Sequence, residues 1–232
     1  MKKKSDEKLK IIPLGGLEQI GMNITAFECQ DSIVLVDCGL AFPEDDMLGV
    51  DLVIPDVTYL LENADKVKGL CITHGHEDHI GAIPYILKQI NMPIYATKLT
   101  NGLIENKLKE HGMLRTVKRK VVKYGQSINL GCFRIEFIKT NHSIQDAAAL
   151  ALFSPAGIVV HTGDFKVDYT PVFGDAIDLQ RFGELGKKGV LALMCDSTNA
   201  ERSGFTMSER TVGHVFDNLF NEYKTNRIII AT

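Results

Sequence analysis

Six consecutive residues, His74-Gly75-His76-Glu77-Asp78-His79, constrain this chain more than any other segment. Three imidazoles set beside a carboxylate this densely need a rigid frame, and the flanking residues supply one. Gly69-Leu70-Cys71-Ile72-Thr73 ahead of the cluster is an apolar run that reads as a buried strand. Ile80-Gly81-Ala82-Ile83-Pro84-Tyr85-Ile86-Leu87 behind it reads as the opening of a helix, expected over His79–Ile90. A catalytic zinc ion takes about three protein ligands at roughly 2.0–2.2 Å and keeps a position for water. His74 and His76 are two apart, so in an extended loop they point to the same side and can share one ion. Asp78 and His79 begin the helix and face another way, which favours a second ion. Two ions about 3.5–4 Å apart can stabilise both the attacking and the leaving oxygen of a hydrolysis.

Further ligands are expected where other buried strands release polar residues into loops. His142 follows Phe133-Arg134-Ile135-Glu136-Phe137-Ile138, and Asp164 follows Gly157-Ile158-Val159-Val160. Asp164 is placed to bridge the ions, because a carboxylate offers two oxygens. Asp78 and Asp164 are the candidate catalytic carboxylates. The loop Leu14-Gly15-Gly16…Gly21 lacks the Gly-Lys-Ser/Thr ending of a phosphate loop and reads as a tight loop near the metal site.

These motifs resemble the metallo-β-lactamase superfamily, in which His-x-His-x-Asp-His, a later histidine and a later aspartate hold two zincs at one edge of an αββα sandwich. The resemblance narrows to the ribonuclease J family. It rests on Leu14-Gly15-Gly16-Leu17-Glu18-Gln19-Ile20-Gly21-Met22-Asn23, Val36–Pro43, Ile54-Pro55-Asp56, His161–Lys166 and Cys195-Asp196-Ser197-Thr198-Asn199. Ala82 and Ser203 depart from the family pattern without touching a ligand. Members of that family are much longer, with a β-CASP domain inserted into the metallo-β-lactamase domain. Residues 1–9 read as a charged tail, and the resemblance implies the N-terminal part of a metallo-β-lactamase domain over 10–205 and the beginning of a β-CASP domain over 206–232. A helix is expected from Met207 with Ser208 as its N-cap, and an apolar strand near Arg227–Ala231. The resemblance also implies that a histidine beyond residue 232 completes the second metal's shell, and that Asp37 supports a metal-bound imidazole.

The function implied is metal-dependent RNA hydrolysis. His74, His76, His142 and Asp164 would hold one zinc, and Asp78, His79 and Asp164 the other; manganese suits the same nitrogen and oxygen mix. The expected activity is endonuclease and 5′-to-3′ exonuclease, in RNA maturation and decay. The expected partner is single-stranded RNA with a 5′-monophosphate, and the full-length protein is expected to be a homo-oligomer. A thioester, lactone or β-lactam hydrolase on the same fold, or a catalytically incomplete metal-binding fragment, are the competing readings.

Composition adds bounds rather than a function. A net charge of −3 does not announce a nucleic-acid binder. Lys107, Lys109, Arg115, Lys118, Arg119, Lys120 and Lys123 form a basic stretch, read first as a solvated helix face and loop and second as a path for RNA phosphates. Five cysteines without a C-x-x-C pair, mostly in apolar runs, argue for free thiols in a reducing compartment. The start has no apolar signal region, and no run approaches the roughly 20 apolar residues of a span. The expected location is the cytoplasm.

Overall fold

The computed structural model describes residues 7–231. Its short apolar runs pair into two sheets. The first holds β1 (Leu9–Gly15), β2 (Ile24–Cys29), β3 (Ser32–Val36), β4 (Val67–Cys71), β5 (Ile94–Ala96) and β6 (Arg119–Val121), side by side in chain order. β1, β2 and β3 are antiparallel, and β3 through β6 run parallel. The second holds β7 (Ser127–Leu130), β8 (Phe133–Lys139), β9 (Ala148–Ser154), β10 (Gly157–His161) and β11 (Ala192–Met194). It is antiparallel except for the parallel β10–β11 pair. The helices are α1 (Thr58–Glu62), α2 (Glu77–Ile80), α3 (Ile83–Leu87), α4 (Lys98–Glu110), α5 (Leu179–Lys188) and α6 (Arg210–Glu222).

Three apolar clusters define the layers. Side chains alternate across a strand, so β3 sends Ile33 and Leu35 to one face and Val34 and Val36 to the other. Ile33 and Leu35 pack with Leu60, Ile83, Ile86 and Ile104 from the helices. Val34 and Val36 meet Phe133, Phe137, Leu150 and Leu152 of the second sheet. The far face of that sheet, Ala149, Ala151 and Val160, is covered by Leu185 of α5. Helix, sheet, sheet, helix is the expected αββα sandwich. Cover on both faces explains why β2 and β3 are buried at every position and mostly apolar rather than alternating.

The expected helix over His79–Ile90 is instead two short helices. The Ala82 N–H turns to the Cys38 carbonyl (3.0 Å), while the Asp78 carbonyl it would have used accepts from Asn23 N (3.0 Å). Pro84 has no N–H to continue the ladder. The helix expected from Met207 begins at Arg210. Glu209, not the expected Ser208, takes the N-cap position, with no side-chain cap bond. Ser208 Oγ accepts from Arg210 N (3.3 Å) and donates to Asp168 Oδ2 (2.9 Å), which also accepts from Glu209 N (3.1 Å), so Ser208 is drawn to Asp168. Residues 227–231 form no strand; no described strand pairs with them, and Ile229 is 84% exposed. Of the expected tail, residues 1–6 lie outside the described residues, and Leu9 already belongs to β1.

One buried charge helps to fix the first sheet. Glu28 of β2 is 5% exposed. Its carboxylate accepts from the Tyr59 hydroxyl, Lys10 Nζ (2.9 Å) and Lys66 Nζ (3.1 Å). The Tyr59 hydrogen bond, then the two lysines, hold its pKa at about 2 against an ordinary 4.5. A depressed carboxylate contributes stability that is present above its unfolded pKa and lost as pH falls through the folded one. Glu28→Gln is therefore expected to be less stable than wild type by about 2 kcal/mol near neutrality, allowing for the exposed Lys10. That gap should close between about pH 4.5 and 2 in urea titrations. A gap independent of pH would contradict this account of Glu28.

Candidate metal centre

The centre lies where strand ends of both sheets meet the loop after β4. Thr73 to His76 continue from β4, and Glu77-Asp78-His79 form the first turn of α2. His142 comes from the segment after β8, and Asp164 from the segment after β10. The structure therefore brings together all six expected side chains from three separate stretches.

Three imidazole nitrogens converge. His76 Nδ1 lies 3.1 Å from His74 Nε2 and 3.2 Å from His142 Nε2. Nitrogens bound tetrahedrally to one zinc at roughly 2.0–2.1 Å are about 3.3 Å apart, so this spacing fits a shared ion. A second group comprises His74, His79 and Asp164, whose ligand atoms all lie within 4.8 Å of one another. Asp164 spans the two groups, with Oδ2 3.6 Å from His142 Nε2 and Oδ1 3.5 Å from His79 Nε2. Asp78 Oδ2 is also 3.5 Å from His79 Nε2. Together these nitrogen and carboxylate donors form a set suited to divalent metal ions.

Asp37 orients two of the rings. It adopts φ 61°, a left-handed conformation that Asp tolerates better than most residues. That bend aims its carboxylate back at the metal loop. Oδ1 accepts from Thr73 N (2.8 Å), while Oδ2 accepts from Thr73 Oγ1 (2.8 Å) and His79 Nδ1 (2.8 Å). Thr73 Oγ1 lies 3.0 Å from His74 Nδ1. With Thr73 donating to Asp37, its oxygen accepts from His74 Nδ1–H. Both rings then present Nε2 as a lone pair to the centre.

The electrostatics describe a place made for positive charge. Burial first, then neighbouring imidazoles, lower the His74 pKa to about 2. For His79 burial also acts to lower, but Asp37 and Asp164 outweigh it and push the pKa up to about 10. Asp164 falls to about 2: burial opposes the shift, and the His79 ring and its neighbours overcome it. The carboxylates thus draw a proton onto His79 where a cation can bind instead.

A cleft of about 450 Å³ opens over Asp78, His79 and Asp164, bordered by Gly16, Ile20 and Asp196. A second cleft of about 390 Å³ lies beside His142 and is lined by Lys139 and Lys166. Of the basic stretch, Lys107 pairs with Glu77 (2.6 Å) and Arg119 with Glu105 (2.7 Å), so these two are engaged as surface ion pairs. The five cysteines are free thiols, and no helix among the described residues is long and apolar enough to cross a membrane. Two residues near the metal loop carried no assigned role in the sequence reading: Thr73, and Asn23, whose Nδ2 lies 3.2 Å from Asp78 Oδ2. Neither has a local signal, because Asn23 acts on Asp78 and Thr73 links His74 to Asp37, partners distant in the chain.

The chain belongs to the metallo-β-lactamase superfamily, whose model matches residues 23–185. Within it, the chain is similar to proteins named ribonuclease J. It is 50% identical over 228 residues to the ribonuclease J of Synechocystis sp., covering 97% of this chain and 36% of the relative. It is 46% identical over 229 residues to that of Helicobacter pylori, covering 98% and 33%. It is 42% identical over 233 residues to that of Thermus thermophilus, covering 97% and 40%. The chain thus spans between 33% and 40% of the length of these relatives. A crystal structure of a protein of unknown function from Enterococcus faecalis V583 shares the fold, with TM-score 0.68 at 15% identity, covering 93% of this chain and 58% of that one.

Proposed function

We propose that this chain carries the metal centre of a ribonuclease that hydrolyses RNA phosphodiesters. The observation that carries the reading is the convergence of His74, His76 and His142 beside an Asp164 that offers one oxygen to each of two ligand groups. Likeness to ribonucleases J supports RNA as the substrate. We assign His74, His76, His142 and Asp164 to a first zinc position and Asp78, His79 and Asp164 to a second, with manganese as the alternative metal. Bound divalent ions would bring the pKa of water toward neutrality and offset charge on the phosphoryl oxygens.

The chain's own residues do the rest. Asp164 stands between the two groups, and Asp78 lies at the open side; either carboxylate accepts the proton of the attacking water. Asp37 and Thr73 hold the His74 and His79 rings in the ligand tautomer. The products on this reading keep a 5′-phosphate, and the enzyme acts as an endonuclease and a 5′-to-3′ exonuclease in RNA maturation and decay. Its substrate is single-stranded RNA with a 5′-monophosphate. We place the metallo-β-lactamase portion at 10–205, the beginning of a β-CASP domain at 206–232, the working location in the cytoplasm and the full-length state as a homo-oligomer.

The test is cleavage of 5′-monophosphorylated, 3′-labelled RNA by zinc- or manganese-loaded protein, with a chelator-treated sample beside it. Metal-dependent shortening to products with 5′-phosphates is expected. Intact RNA, together with hydrolysis of a thioester, lactone or β-lactam, would overturn the substrate assignment.

A further inference from the structure

We infer that Asn23 is a positioning residue for Asp78, and that the glycine-rich loop before it exists to present its amide. The inference deepens the proposed function and rests on its two-ion reading. Asn23 grips Asp78 through three hydrogen bonds. Its backbone N–H donates to the Asp78 carbonyl at 3.0 Å. Its side-chain Nδ2 donates to the same carbonyl and to Asp78 Oδ2, each at 3.2 Å. Oδ2 is the oxygen that stands 3.5 Å from His79 Nε2, and Nδ2 itself lies 3.1 Å from that nitrogen. Both neighbours of the amide on Asp78 are acceptors, which fixes the nitrogen, not the oxygen, toward the metal loop.

A carboxylate on the first turn of a short helix has several rotamers. Donation from Asn23 selects one and occupies one lone pair of Oδ2. The other lone pair stays free beside His79. Asn23 is itself held, because its carbonyl accepts from Gly39 N at 2.9 Å.

The loop glycines follow from this placement. A Cβ on Gly16 would stand 2.8 Å from Asn23 Oδ1, and its φ of +80° is unsuited to other residues. A Cβ on Gly15 would stand 2.3 Å from the Met22 carbonyl, the residue that precedes Asn23. Gly21 turns at φ +95° against the Leu40 carbonyl. Gly15, Gly16 and Gly21 let the chain fold closely enough to bring residue 23 over residue 78.

Asn23→Leu keeps the branched shape and the backbone bond and removes the donor; Asn23→Ala is the second variant should the bulkier Leu disturb the loop. Zinc titration of metal-free protein, read by competition with a chromophoric chelator, gives each dissociation constant. The visible bands of the cobalt(II) form report the coordination of each position. The weaker of the two constants is expected to rise about ten- to hundredfold, the effect typical of residues that orient a metal ligand. Only the cobalt bands of that position should change, with the circular dichroism of the metal-free protein intact. Two unchanged constants would overturn the inference. So would equal weakening of both, or loss of the metal-free fold in both variants, since Asn23 would then act through the fold alone. Wild-type protein that binds fewer than two ions would instead overturn the two-ion reading, which separates that failure from this one.

Discussion

His76→Ala is expected to empty the first metal position and abolish RNA cleavage. His76 Nδ1 is the atom common to the two short contacts, 3.1 Å to His74 Nε2 and 3.2 Å to His142 Nε2. Removing it leaves two imidazoles and a shared carboxylate for an ion that takes about four donors counting water. Loss of a residue that merely orients a ligand costs about 10–100-fold in affinity, so loss of the ligand itself should exceed about a hundredfold. The fold should survive. His76 begins no hydrophobic contact of the core, and its backbone carbonyl, which accepts from His79 N and Ile80 N at 3.0 Å, is retained. Elemental analysis of the variant should show about one ion fewer per chain. Retained turnover at the wild-type rate would remove His76 from the machinery.

Gly39→Ala is the second large effect, and it acts on the frame rather than on a ligand. A Cβ at residue 39 would sit 1.5 Å from the Asp78 carbonyl oxygen and 2.9 Å from His79 N. Both are backbone atoms, so no side chain can swing aside. The displaced segment is tied on each side, with Cys38 N donating to the His79 carbonyl (2.8 Å) and Asn23 N to the Asp78 carbonyl (3.0 Å). Either these bonds break or the end of β3 moves away from the metal loop. We expect a loss of about 3 kcal/mol or more, in the range that marks a disrupted core or hydrogen-bond network. The urea midpoint should fall accordingly, and the second position should bind metal poorly even in the folded fraction. Wild-type stability in Gly39→Ala would show that the loop adapts and that the close approach is not required.

The sequence was most legible where the physics is local. Apolar runs marked β4, β8 and β10 to within about two residues, because strand burial repeats over short spans. The six-residue cluster exposed most of the metal centre for the same reason. His142 and Asp164 were legible as polar residues released at strand ends, although nothing local says that those ends meet. What escaped was carried by contacts across the chain. Asn23 reaches Asp78 over 55 positions, and Thr73 reaches Asp37 over 36. The interruption between α2 and α3 has the same origin. The Asp78 carbonyl is claimed by Asn23 and the Ala82 N–H by Cys38, contacts the helical pattern does not show, and Pro84 is the local mark of the break. The apolar run 228–231 after Arg227 reads as a strand, but a strand forms only where a partner offers its backbone.

The most direct test of the central claim is the metal content of the purified chain, by elemental mass spectrometry on a sample shown to be folded. The account predicts close to two ions per chain, falling by about one in His76→Ala. A value near zero in folded protein would contradict it, because the converging imidazoles and the Asp164 bridge would then serve some purpose other than holding metal.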